Sequence, residues 1–431
     1  MDNNDFLGSY AQENVAFTTR VIKTARVGDN FYKVMIFVEN SRFVEASSAG
    51  WVQVPGSSTL KALTVTASDY AEYTTGLLRS WLYDLFCSGF SGDCILIACG
   101  DVTSSDVYTP VSNPQGNPQA QGWYVSDGGS GYTPATDTDV KGGTTYYIKS
   151  TTYDTAAFVT GMTNAYNQLK AYAYHKTVCA GSDEEVNPTV AVELAKLCAG
   201  DKGLLSSAPL LPFTTATPEE PTSDKLYNAL KEANADAFMS AHQDATRNAA
   251  LVSLGIALAT YNGSGTPVGN NMEMTATSML TSSGPAGQQL SKSIRDTLAG
   301  LNIQTWKPVG DNTGNVAAYG ASTLLDDTPY GATWIVAYIT YMIKVRVAQM
   351  LTEGNFLKNA ANYGRIIGVM NSVLSLFADS GRIDNIITKA PAFVNLPESS
   401  GDEIVVPDAW EATYISNARK VTITGTLYIG A

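Results

Sequence analysis

The chain has 431 residues and a formal charge of −13, from 27 Lys plus Arg against 40 Asp plus Glu, with 44% hydrophobic and only 16% charged residues. An apolar share that includes 23 Tyr, 13 Phe and 6 Trp excludes a disordered chain and implies a folded core of two or three lobes. The acidic balance without any Lys/Arg block excludes a nucleic-acid binder, whose affinity comes from cationic neutralisation.

The opening Met1-Asp2-Asn3-Asn4-Asp5 has neither the basic start nor the apolar stretch of a leader, so folding in a cytoplasm is expected. Val15 to Ile22 is rich in strand formers and reads as part of an extended arm over residues 1–30. Phe31 to Val38 reads as a buried strand and Val65 to Phe86 as a helix, with Leu77, Leu78, Trp81, Leu82 and Leu85 at helical spacing and Thr66 or Ser68 as its cap. The short apolar run Cys94 to Cys99, between Gly92 and Gly100, fits a strand covered on both faces, which completes one strand-helix-strand unit.

Residues 101–152, rich in Pro, Gly, Ser and Thr, read as an insertion of turns and short strands. Helices are expected at Asp154 to Tyr174 and Pro188 to Leu197. Pro209, Pro212, Pro218 and Pro221 mark Ala208 to Ser223 as a linker. A helix over Asp224 to Asn234 and a strand over Ala237 to Ala241 follow, then helices at Asn248 to Tyr261 and Gln288 to Leu298. Leu301 to Lys307 and Val316 to Leu324 form a candidate hairpin across Gly310 to Gly314. Trp334 to Leu351 and Asn359 to Ala378 are long helices, the second closed by Gly381. The apolar run from Trp334 to Ile343 stops after ten residues at Lys344 and Arg346, short of the roughly 20 that a membrane span needs, so no membrane insertion is expected. Short strands are expected at Glu403 to Val406 and Trp410 to Ile415. Val421, Ile423, Leu427 and Ile429 alternate along the last segment, which is placed to pair with another molecule.

The chemistry-bearing residues are few. His175 reads as a helix-end residue, and His242 near Asp244 lacks an accompanying nucleophile motif. Nucleophile elbow, phosphate loop and dinucleotide fingerprint are all missing, so neither an enzyme nor a cofactor is expected. The five cysteines read as reduced and buried, with Cys94 and Cys99 on opposite faces of a strand instead of converging on zinc. Asp326-Asp327 and Asp311 to Asn315 are explained by turn chemistry, so no metal is expected. Asn262-Gly263-Ser264 is a glycosylation acceptor without meaning where no leader is read. The aromatic set Tyr146, Tyr147, Tyr153, Phe158, Tyr166, Tyr172 and Tyr174 serves either protein packing or a carbohydrate platform.

The helix Gln289 to Leu298, the strand entry Gly300-Leu301-Asn302-Ile303, the loop Gly310 to Gly314, the segment Tyr319 to Leu324 and the helix carrying Ile335, Tyr338, Ile339, Ile343 and Arg346 together resemble contractile-tail sheath proteins of bacteriophages. The second long helix with Gly381-Arg382-Ile383 is similar too, as is the strand-helix-strand opening at Phe31 to Gly100. The likeness covers residues 30–100 and 285–431, and departs where Ser322-Thr323 replaces the family's Arg-Thr pair.

The resemblance implies an α/β (α+β) fold whose sheath-like core is a mixed β-sheet flanked by helices. The implied divisions are a linking arm at 1–30, a core at 31–100 and 224–418, a partly β-rich outer insertion at 101–223, and a linking strand at 419–431. It also implies a structural subunit that stacks as hexameric rings in a helical homo-oligomer. Its partners would be a tail tube protein and the baseplate and tail terminator proteins, in a virion assembled in the host cytoplasm. Val15, Phe17, Val21, Val421, Ile423, Leu427 and Ile429 become the candidates for strand pairing between subunits. The competing class is a virion surface adhesin or glycan-binding tail or decoration protein, favoured by the polar insertion and its tyrosines.

Overall fold

A computed structural model describes residues 31–44, 52–53, 60–182, 185–201, 205–214, 224–242, 244, 246–261, 273–275, 290–309, 312–319, 323–352, 356–396, 404, 406 and 409–415. The chain opens with β1 (Val34–Val38), β2 (Val52–Gln53), β3 (Lys61–Val65), a single helical turn α1 (Tyr70–Tyr73), α2 (Gly76–Cys87) and β4 (Cys94–Ala98). Every side chain of β1 is buried, as its Val-Met-Ile-Phe-Val sequence demands of a strand with both faces covered. The helix expected from Val65 to Phe86 is in fact strand, turn and helix. Thr74 turns its hydroxyl back onto the carbonyl of Tyr70, and Gly76 takes φ +56°, a left-handed conformation that interrupts the helical run.

An insertion follows: β5 (Thr103–Pro110), β6 (Tyr124–Ser126), β7 (Tyr132–Pro134) and β8 (Tyr146–Asp154) form an antiparallel sheet in the order β5-β8-β6-β7. The chain then returns through α3 (Ala156–Leu169), β9 (His175–Cys179), α4 (Pro188–Gly200) and β10 (Leu210–Thr214). In α3 a Cβ at Gly161 would collide with the carbonyl of Cys99, so glycine is what lets the helix lie against the end of β4. The first core sheet runs β2-β3-β4-β1-β9, with β1 parallel to both β4 and β9 and β3 antiparallel to β4.

The second half contains α5 (Lys225–Glu232), β11 (Phe238–His242), α6 (Ala249–Tyr261), β12 (Glu273–Thr275), α7 (Lys292–Gly300), β13 (Ile303–Val309) and β14 (Asn312–Tyr319). The second core sheet runs β10-β11-β13-β14-β12; β10, β11 and β13 are parallel, and β13 and β14 form the expected antiparallel hairpin, with β14 starting earlier than the sequence suggested. The prolines that suggested a linker lie partly inside β10. Pro212 is tolerated there because β10 is an edge strand, where a missing N–H need not break a ladder. The two core sheets meet where β10 runs beside β9, with the Thr177 hydroxyl donating to the Leu210 carbonyl at 2.5 Å, and one continuous apolar core serves both.

The chain ends in α8 (Tyr330–Thr352), α9 (Ala360–Asp379), β15 (Ile383–Thr388) and β16 (Trp410–Tyr414), the last two paired antiparallel. A second core joins Ile339, Ile343 and Val347 of α8 to Met370, Val373, Leu374 and Phe377 of α9. Among the described residues side-chain caps start five helices: Asn187 for α4, followed by Pro188 at its first position, Asp224 for α5, Asn248 for α6, Ser291 for α7 and Asn359 for α9. The fold is mixed α+β, with mixed core sheets flanked by helices. Residues 103–154 stand as a separate sheet, while 156–214 supply elements to the core sheets.

Candidate assembly surfaces

The residues singled out for pairing between subunits, Val15, Phe17, Val21, Val421, Ile423, Leu427 and Ile429, lie outside the described residues, as do Glu403 and Val405 of the strand expected at Glu403 to Val406. What the structure describes is the body at the point where each terminal segment joins it.

At the N-terminal side, Phe31 is buried and packs its ring on Tyr174 at 4.8 Å, on Tyr338 edge-on at 5.2 Å and on Tyr341 at 6.0 Å. Its carbonyl lies 3.2 Å from His175 Nε2, while His175 Nδ1 lies 2.8 Å from the Tyr330 hydroxyl. Burial drives the His175 pKa down to about 3, so the ring is neutral. A neutral ring whose only carbonyl neighbour is at Nε2 donates there and accepts from Tyr330 at Nδ1. His175 is thus the first residue of a buried strand, not the helix end expected, and it ties Phe31 to β9 and to the start of α8.

At the C-terminal side, β15 and β16 form a sheet of two strands among the described residues, set against α9 through Ile383, Ile386 and Trp410. The pairing is interrupted between Asp384 and Ile387, where Asn385 takes φ +50°. Lys389 and Glu411 make a cross-strand ion pair, and the Ile415 N–H continues the ladder by donating to the Arg382 carbonyl at 3.0 Å. A sheet this small is marginal alone and gains from a further strand.

Two other polar nodes hold the body together. Asp84 on α2 is fully buried and accepts from Arg247 Nη1 at 3.0 Å and from the Asn248 N–H at 2.8 Å, while Asn248 Oδ1 accepts from the N–H of Ala250 and Leu251 at the start of α6. Desolvation raises the Asp84 carboxyl to about 7, against the opposing pull of those bonds. In the resembling Gly-Leu-Asn segment, Asn302 sits at φ +63° and ends α7, its N–H donating to Ala299. Its amide donates to Asp327 at 2.6 Å and accepts from the Thr323 hydroxyl at 3.0 Å, so Thr323 of the divergent Ser-Thr pair locks the turn from the far side.

At the carboxyl ends of β1, β4 and β9, where α/β sheets commonly bind ligands, Glu39 is engaged by Arg42 at 3.3 Å and by the N–H of Val102 and Gly181, and Arg42 donates to the carbonyls of Gly181 and Ser182. His242 Nδ1 accepts the N–H of Asp244 in a local turn. Cys94, Cys99, Cys179 and Cys198 are buried and their thiols are raised by burial, whereas Cys87 is exposed, contrary to the expectation for all five. Among the described residues no group of three or more His, Cys, Asp or Glu is placed to hold a metal ion, and no helix is long and apolar enough to cross a membrane.

The geometry defines an α+β protein of two abutting mixed sheets with an inserted third and a helical C-terminal lobe. It is similar to a chain of the cryo-EM structure of the anti-feeding prophage baseplate, 6-fold symmetrised, at TM-score 0.52 and 9% identity, covering 93% of this chain and 94% of that one. It is also similar to the sheath tail protein Lin1278 of Listeria innocua at 9% identity, covering 95% and 98%, with a TM-score of 0.43. No protein-family profile and no curated protein matches the sequence. The resemblance to tail proteins read from the residues is thus met in the fold.

Proposed function

We propose that the chain is a structural subunit of a contractile tail or related injection particle, a sheath protein that stacks as six-membered rings around a tail tube and drives that tube forward by contracting. The observation that carries this reading is the likeness to a chain of a six-fold symmetrised baseplate, which covers 93% of this chain. Its partners would be further copies of itself, the tube, and the baseplate and terminator proteins at the two ends; it would act without catalysis, in a particle assembled in the host cytoplasm.

In this reading residues 15–22 and 419–429 link neighbouring subunits by main-chain pairing, which depends little on side-chain identity. The two-stranded β15–β16 sheet is the surface best suited to receive such a strand, since addition would enlarge a sheet of marginal size. A ring multiplies the subunit charge of −13 sixfold, so assembly should respond to salt, which screens charges beyond about 10 Å at 0.1 M.

Negative-stain electron microscopy of the purified chain across a salt series tests the proposal. Hollow, striated cylinders of uniform diameter are expected, and a chain ending at residue 415 should stay a folded monomer. Persistent monomers or compact trimers from the full chain would sink the sheath reading; cylinders from the shortened chain would remove the linking role of its last strand.

A further inference from the structure

The inserted sheet has two faces of opposite character. Strand register places Trp123, Val125, Ala135 and Tyr146 on one side, where they form a small core with Val111 and Val140. The Tyr146 hydroxyl secures that side by donating to Asp137 at 2.7 Å and accepting from the Lys141 N–H at 3.1 Å. A sheet needs one covered face, and this side provides it.

The opposite face carries Tyr108, Tyr124, Tyr132 and Tyr147, all half-buried, on four different strands. Tyr108 and Tyr132 stack at 4.0 Å with planes 11° apart, while Tyr124 meets Tyr108 edge-on at 5.3 Å and Tyr132 meets Tyr147 edge-on at 4.7 Å. The rings lean together into one patch flanked by Pro110 and Pro134, both exposed.

The rest of that face is hydrophilic. Asp106 accepts from Lys149 at 2.8 Å and from the Thr151 hydroxyl at 2.9 Å, and Ser104, its partner Tyr153, which is exposed, and Ser126 complete the register positions. No Leu, Ile, Val, Met or Phe occupies any position of this face; the exposed Val107 and Ile148 alternate onto the other side.

We infer that this tyrosine face is a binding surface for a neutral polysaccharide, its rings stacking on the C–H faces of successive hexoses while the flanking hydroxyl, carboxylate and ammonium groups bond to sugar hydroxyls. Charge complementarity selects this occupant. Asp106 and Lys149 neutralise each other, so the face is uncharged, whereas the chain as a whole, at −13, disfavours an anionic polymer. Tyrosine supplies flat apolar area with a polar rim at low entropy cost, which suits a ligand that is itself apolar on its faces and polar on its edges. A face without aliphatic side chains is a poor seat for a protein core residue. Several rings in one patch favour a chain of sugars over a single sugar. The inference does not rest on the sheath reading, because it concerns a sheet that assembles its own core.

Biolayer interferometry of the full chain over immobilised dextran, soluble starch and galactomannan, with alginate as the anionic polymer, tests it. Saturable binding to at least one neutral polymer is expected. Tyr132→Leu, which keeps apolar cover but removes the flat ring, should weaken it tenfold or more, and Tyr108→Phe should keep it within threefold. Far-UV circular dichroism and an unchanged melting temperature establish that each variant is folded. Binding to alginate alone, binding to none of the neutral polymers, or undiminished binding by the folded Leu variant each overturns the inference. If the Leu variant does not fold, protection of the tyrosines from iodination by the bound neutral polymer decides instead: protection of Tyr108 and Tyr132 supports the site, and equal labelling with and without polymer overturns it.

Discussion

β1 and β8 stand at opposite ends of what a strand can be in this molecule. Val34 to Val38 have no exposed side chain, whereas of the nine residues from Tyr146 to Asp154 only Tyr146 is buried. The first strand is specified by what it displaces from water, the second by the ladder it completes and by cross-strand pairs such as Ser105 with Thr152 and Asp106 with Lys149. The difference teaches that the two sheets should respond to mutation on separate scales, and that the insertion's surface is free to vary without cost to the body.

The widest gap should appear between Trp81→Ala and Val107→Ala. Trp81 is fully buried in the main core, so its truncation should cost about 3–5 kcal/mol, while Val107 is exposed on β5 and should stay within about 0.5 kcal/mol. Urea unfolding of both variants checks this, and equal losses would end the distinction.

Next comes Asp84. A folded-state pKa raised to about 7 means that the native protein holds this proton more tightly than the unfolded chain does. Its contribution is fully present below the ordinary carboxylate range, near pH 4, and is lost as the pH rises through 7, with a slope of about 1.4 kcal/mol per pH unit inside that window. The exposed Asp106 and the half-buried Asp137, whose pKa values are lowered by hydrogen bonds, act in the opposite direction, their contribution being lost as pH falls. The informative quantity is therefore the difference between wild type and Asp84→Asn: stability at pH 8 relative to pH 5 should fall more in the wild type. A difference independent of pH would contradict the burial argument. Smallest of the three, Asn187→Ala removes the cap that accepts from Thr189 and Val190 and should cost about 1 kcal/mol in thermal unfolding.

Much of the body was legible because its apolar residues obey simple periods. β1, β4, α8, α9 and the β13–β14 hairpin fall close to where the residues place them. β9 was not legible: His175 read as a helix end and no strand was expected there, and His175, Lys176 and Thr177 are polar residues each buried with a distant partner. Lys176 donates to the carbonyls of Ala173 and Leu205, and burial lowers its pKa to about 8. β10 was hidden by Pro209 and Pro212, which are harmless at an edge. The anchoring of Phe31 was invisible for a related reason, since it joins positions 31, 175 and 330 through hydrogen bonds that no local pattern encodes. The terminal segments expected to pair between subunits lie outside the described residues.

Phe31 stands three residues before β1, and β1 is flanked on both sides by parallel strands, β4 and β9. Tension applied there along the strand would load both ladders in shear, with their bonds resisting together, instead of peeling them open one at a time. An edge strand in the same position would have one ladder to resist the pull instead of two. Seating the root of an N-terminal segment on an interior strand makes the body a mechanical anchor, able to be pulled without first coming apart.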